Sequence, residues 1–142
     1  MTFKAFALGL AVASVATLSM AKPMTYTIDP THTATVFTWD HFGFSTPSGN
    51  FTDIQGKITV DNDKPEKSSV HVTIPLSSIN TNVKVLDDHL LKADFFDAEK
   101  YPTITFKSTK VETRDKKNYK ITGDLTIKGI TKPVVLDAVL NK

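Results

Sequence analysis

A chain of 142 residues fits a single domain. With 17 Lys and Arg against 15 Asp and Glu its formal charge is only +2, which argues against the concentrated basic face that nucleic-acid binding requires. It contains no cysteine, so no disulfide scaffold can hold it and its stability has to come from an apolar core.

The first 21 residues read as an export leader. Lys4 gives a positive start, an apolar run covers 5–18, and Ser19-Met20-Ala21 offers small residues to a signal peptidase. The run is shorter than the roughly 20 residues a spanning helix needs, and Lys22-Pro23 follows at once. Cleavage after Ala21 is expected, leaving residues 22–142 as the mature domain.

Thr25 to Ile28 reads as a short strand closed by Asp29-Pro30. Thr33 to Trp39 alternates, with Thr35, Phe37 and Trp39 on one face, and His41 to Phe44 continues it. Ser45 to Asn50, carrying Pro47 and Gly49, reads as a turn, and Phe51 to Val60 as a returning strand interrupted near Gly56. After the polar link from Asp61 to Lys67, Ser69 to Ile74 sends Val70, Val72 and Ile74 inward. Ser77 to Val83 is an irregular crossing.

The stretch from Asp87 to Phe106 organises the rest. It opens with a turn of helix that sets Leu86, Leu90 and Leu91 on one side and leaves Asp87, Asp88 and Lys92 toward water. Phe95 and Phe96 then stand side by side in an acidic loop, and Pro102 stops any helix before Thr103. Two readings stay open here. These Leu and Phe side chains are a plug closing one end of a β-structure, or they line the mouth of a cavity for an apolar ligand.

Thr103 to Val111 carries Ile104 and Phe106 inward, and a charged turn covers Arg114 to Asn118. Tyr119, Ile121, Leu125 and Ile127 alternate with polar residues, with Gly123 as a bend; Gly129 makes a turn, and Pro133 opens a last strand from Val134 to Leu140. Seven strands joined by connections too short for parallel crossovers, with one short helix, define an antiparallel all-β domain, a sandwich or a barrel. In a closed sheet of about eight strands there is room for one ligand.

Little in the chain suggests chemistry. The four histidines, His32, His41, His71 and His89, match no local ligand spacing, and Asp61-Asn62-Asp63 lacks the glycine and glutamate of a calcium loop, so no metal and no cofactor are expected. Asp88 and His89 are neighbours, whose side chains diverge by about 100° on a helix, and no nucleophile elbow exists. No catalytic residue is assigned, and an enzyme is not expected.

A series of motifs resembles the YceI-like family of periplasmic polyisoprenoid-binding proteins. They are Tyr26 to His32, His41-Phe42-Gly43-Phe44-Ser45 with Gly49, Phe51 and Gly56, then Ile79-Asn80-Thr81, Asp88-His89-Leu90, Asp94 to Asp97, Tyr101 to Phe106 and Gly123 to Pro133. The resemblance implies a lipocalin-like antiparallel β-barrel, exported to the periplasm, whose apolar interior holds a long-chain isoprenoid or a fatty amide. Carried onto this chain, the lining would be Phe37, Trp39, Phe42, Phe44, Phe51, Leu90, Leu91, Phe95, Phe96, Ile104, Phe106 and Tyr119. His41, Asp88 and His89 would either meet a head group or close the barrel by hydrogen bonds.

Members of the family usually continue beyond the position of Leu140, so the resemblance also implies a barrel incomplete at the C-terminus. Its edge would stay unpaired unless a second copy of the chain or a swapped strand covers it, and the remaining partners expected are the lipid and, transiently, a membrane. The alternative is a structural or interaction module whose interior is filled by Phe and Trp and takes no ligand.

Overall fold

The computed structural model describes residues 22–141, so the leader expected over 1–21 lies outside the described residues. The chain forms strands β1 (Met24–Thr27), β2 (Thr35–Thr38), β3 (Ser48–Phe51), β4 (Gln55–Val60), β5 (Ser69–Pro75) and β6 (Ile79–Asn80), one helix α1 (Lys84–Leu90), and strands β7 (Thr103–Thr113), β8 (Asn118–Ile127) and β9 (Ile130–Val139). Every strand pairing is antiparallel. Six strands form one sheet in the order β1-β4-β5-β7-β8-β9, and β2-β3-β6 form a second. The fold is mainly β with one short helix, as the alternation and the short connections require.

Two strands lie where the sequence suggests irregular chain. Ser48–Phe51 pairs with β2 from Thr38↔Ser48 to Thr35↔Phe51, although Ser-Gly-Asn reads as a turn. Its Gly49 lies under the Phe37 ring, where a Cβ would come within 2.6 Å of ring carbon. Tertiary contact there overrides local turn preference. The second strand, Ile79–Asn80, adds to the far side of β3 within the stretch read as an irregular crossing.

The last strand begins at Ile130 rather than after Pro133. Lys128 and Gly129 both adopt positive φ, 51° and 72°, the signature of a two-residue type I′ turn. In such a hairpin Ile127 and Ile130 form the closing hydrogen-bonded pair, so Pro133 falls at a position whose N–H would point away from β8. Since β9 is an edge of the sheet, the missing donor costs the ladder nothing.

The core lies at the α1 end of the molecule. Leu76, 0% exposed, is surrounded by buried Phe51, Ile79 and Ile104, with Phe37, Ile74, Leu90, Leu91, Phe96, Ala98, Leu125 and Ile127 packed against them. Asp87, expected in water, turns inward instead. Its carboxylate accepts the Thr81 backbone N–H at 2.8 Å and the Thr81 hydroxyl at 2.7 Å, which ties the buried Thr81 to the helix. A buried threonine needs such a partner, and this one comes from the first turn of α1.

Candidate functional site

Alternation along β7 and β8 sends one set of side chains to the concave side of the large sheet. From β7 these begin as Ile104 and Phe106; from β8 they are Tyr119, Ile121, Gly123, Leu125 and Ile127. Gly123 sits against Phe106, whose ring atoms come within 2.5 Å of where a Cβ would be, so the ring fills this level of the sheet.

Beyond Phe106 the pattern changes phase. Ser108 pairs with Gly123 and Lys110 with Thr122, so Thr109 is an extra residue on β7. Strict alternation would have turned Lys110 and Glu112 inward. The bulge places Val111 inward instead, and the Ser108 hydroxyl accepts the Val70 N–H at 2.9 Å where the ladder is interrupted.

Past this bulge the inward face carries no phenylalanine or tryptophan, and its aromatic residues are Tyr26 and Tyr119. Cross-strand pairs carry an aliphatic band across the sheet: Met24↔Val60 and Tyr26↔Ile58, then Ile58↔Val70, and on the other side Val111↔Ile121, Ile121↔Leu136 and Tyr119↔Ala138. Tyr26 and Met24 are about half exposed and Ile58 is 36% exposed, whereas Phe51, Leu76, Ile79 and Ile104 at the α1 end are buried. An apolar recess of about 200 Å³ lies here, lined by Ile58, Val60, Val70, Val111, Tyr119, Ile121, Ala138, Val139 and Leu140 with Thr59 and Ser68. Val111, Tyr119, Ala138 and Val139 also line an adjoining open cleft of about 980 Å³. That volume lies at the upper end of the roughly 300–1,000 Å³ usual for ligand sites.

The cleft has a polar rim, formed by Glu66, Glu112, Thr113, Arg114, Asp115, Asn118, Lys120 and Asp137. Lys120 pairs with Asp137 at 2.8 Å, which raises the lysine pKa, and Glu112 pairs with Lys110 at 2.7 Å. The β7–β8 turn is built on Asp115. Its carboxylate accepts the backbone N–H of Asn118 at 2.7 Å, the Asn118 amide at 2.6 Å and the Lys117 N–H at 2.9 Å, and these bonds hold its pKa down at about 2. The arrangement is amphiphilic: an apolar floor leading to a rim of charged groups, among which Lys120, Asp137, Glu112 and Asp115 are paired or hydrogen-bonded.

Of the side chains that the sequence suggested as lining, Tyr119 alone reaches these two spaces. Phe51, Ile104 and Phe106 are buried, and Phe37, Leu90, Leu91 and Phe96 pack on the Leu76 cluster. Trp39 is half-buried with its ring 5.9 Å from Phe37. Phe95 stands 46% exposed, edge-on to His89 at 4.9 Å, while Phe42 and Phe44 project into solvent. The His41 ring meets that of Phe42 edge-on at 5.0 Å, Asp88 pairs with Lys84 at 2.9 Å and His89 lies 3.6 Å from Asp94, so each is engaged locally. The recess residues Ile58, Val60, Val70 and Ile121 carry a period-two signal in the sequence, but that signal gives the face and not what lies opposite it.

An antiparallel β-fold with one short helix and an apolar, polar-rimmed concavity defines the class, and comparison gives the family. Residues 26–142 match the YceI-like domain, and the chain belongs to that family. It is 44% identical over 104 residues to UPF0312 protein plu2095 of Photorhabdus laumondii, covering 73% of this chain and 54% of that protein. It is 39% identical over 142 residues to UPF0312 protein PputW619_0484 of Pseudomonas putida, covering 99% and 72%.

Among solved structures it superimposes on Burkholderia cenocepacia BcnA with a TM-score of 0.70 at 26% identity, over 77% of this chain and 67% of that one. A polyisoprenoid binding domain from Saccharophagus degradans shares the fold, with a TM-score of 0.54 at 12% identity over 73% and 59%.

Proposed function

We propose that this chain binds a long-chain amphiphilic lipid, an isoprenoid or a related molecule, with the tail on the aliphatic concave face and the head group at the polar rim. One observation carries the reading: an apolar recess, with half-exposed aliphatic side chains around it, opens directly into a cleft rimmed by charged groups. Membership of the YceI-like family supports it, as does the fold shared with a polyisoprenoid binding domain. The protein acts by holding its ligand and not by transforming it, and the apolar leader preceding Lys22 supports export to the periplasm.

Each methylene removed from water contributes about 0.8 kcal/mol before the ordering costs of association. Affinity therefore climbs with tail length and responds weakly to salt. Native mass spectrometry of the protein isolated from bacteria tests this. A co-purifying lipid, displaced in favour of longer-tailed competitors, is the expected result; a protein that arrives empty and takes up no prenyl lipid refutes the proposal.

A further inference from the structure

The recess ends inside the protein, and one side chain stands at that end. On β5 its lining reaches Val70 and on β8 Ile121, and neither strand contributes the next inward residue, Val72 or Gly123. Val72 is the register partner of Phe106, and Ser108, two residues past Phe106, is that of Gly123. The Phe106 ring leans out of its own row toward the recess and over Gly123, so closely that a Cβ there would lie 2.5 Å from the tip of the ring. Glycine in mid-strand is what lets the ring come so near.

On its other side Phe106 adjoins the core. Leu125, its register partner on β8, packs against the Leu76 cluster. Phe106 is 6% exposed and Gly123 is buried, so the ring stands between a filled region and a hollow one. It lines neither the recess nor the cleft, but it is what the recess would run into if it went deeper.

We infer that Phe106, held over Gly123, is the stop that sets the longest tail the recess accepts. The inference rests on the lipid-binding reading above and adds the residue that selects among ligands by length. Each methylene that enters the recess raises affinity about fourfold. One that meets the ring stays in the open cleft, where much of that gain is lost.

Calorimetric titration with straight-chain primary alcohols of increasing length tests this. In the wild type, affinity should climb about fourfold per methylene and then break to a shallow slope at one chain length. Phe106→Leu removes the ring and keeps an apolar side chain, and the break should move to longer tails. Because tails are compared within one variant, a general loss of stability lowers all affinities together and does not imitate a shifted break. The wild type supplies a second readout. An alcohol of the break length with a diazirine at its tail end should label the peptide containing Phe106 on irradiation, and a markedly shorter one should not.

A wild-type slope without a break, a break that Phe106→Leu leaves in place, or end-labelling that misses Phe106 overturns the inference. Native mass spectra of the same samples keep the two proposals apart. Protein that takes up neither alcohols nor prenyl lipids sinks the carrier and the stop with it. Uptake whose length dependence is indifferent to residue 106 sinks only the stop.

Discussion

The two ends of the large sheet differ in what their inward side chains meet. Near α1, Ile104 of β7 and Leu125 and Ile127 of β8 face Leu76, Phe51, Ile79 and the side chains of the α1 region, and the space is full. At the other end of the same strands, Val111, Tyr119 and Ile121 face a recess and a cleft. Apolar side chains point inward at both ends, on β7 across the phase slip at Thr109, and it is the covering that differs. One sheet therefore serves as the wall of a core over half its length and as the floor of an open recess and cleft over the rest. Aromatic residues gather at the filled end because they bring the largest apolar area to be buried.

Substitutions should separate the ends, and the largest effect is expected at the closed one. Leu76→Ala, at a fully buried site, should destabilise by about 3–5 kcal/mol in urea titration. A loss below about 1 kcal/mol would mean that the closed end is not packed as described. Gly123→Ala drives a methyl group into the Phe106 ring and the Lys107 carbonyl, 2.5 and 2.6 Å away, and should cost about 1–3 kcal/mol by the same titration. Asp87→Ala leaves the N–H of buried Thr81 without its acceptor and its hydroxyl with only the longer bond to the Val83 carbonyl at 3.3 Å, at about 1–3 kcal/mol, and hydrogen exchange at Thr81 should quicken accordingly.

At the open end the balance reverses. Ile58→Ser should change stability by less than about 1 kcal/mol, because the side chain is already partly in water, yet weaken lipid binding by about tenfold. Near-normal stability with undiminished binding would place the tail elsewhere. The smallest effect is a pH dependence at the rim. The folded pKa of Asp115 lies at about 2, below its ordinary value of 3.8. Its contribution is thus complete above pH 4 and disappears as pH falls through 2. Asp115→Asn should flatten thermal stability across that window, which melting curves between pH 5 and 2 would read.

How far the sequence foretells these ends depends on what periodicity encodes. The inward sets Val70/Val72/Ile74 and Ile104/Phe106 follow directly from alternation, and so do the hairpin at Gly129 and the helix near Leu86 to Leu90. Ser48 to Phe51 does not, because its pairing depends on Phe37 lying over Gly49, a contact between residues whose local preferences point to a turn. Pro133 hides the start of β9 unless the strand is known to be an edge.

The site was harder to read than the fold. Large aromatics suggest themselves as cavity walls, yet Phe51 and Phe106 fill the core and Phe42 and Phe44 leave it altogether. The aliphatic residues of the recess look like ordinary strand residues. The phase slip that brings Val111 inward shows in the sequence only as one apolar residue out of step after Phe106, and one residue is too little to identify a bulge.

Photocrosslinking with a prenyl lipid carrying a diazirine at the end of its tail tests the central claim most directly. After irradiation and proteolysis, adducts should fall on peptides containing Ile58, Val70 and Ile121, the floor of the recess. Adducts confined to the Phe95-Phe96 loop and the Leu76 cluster, or no adduct on the concave face at all, would contradict it.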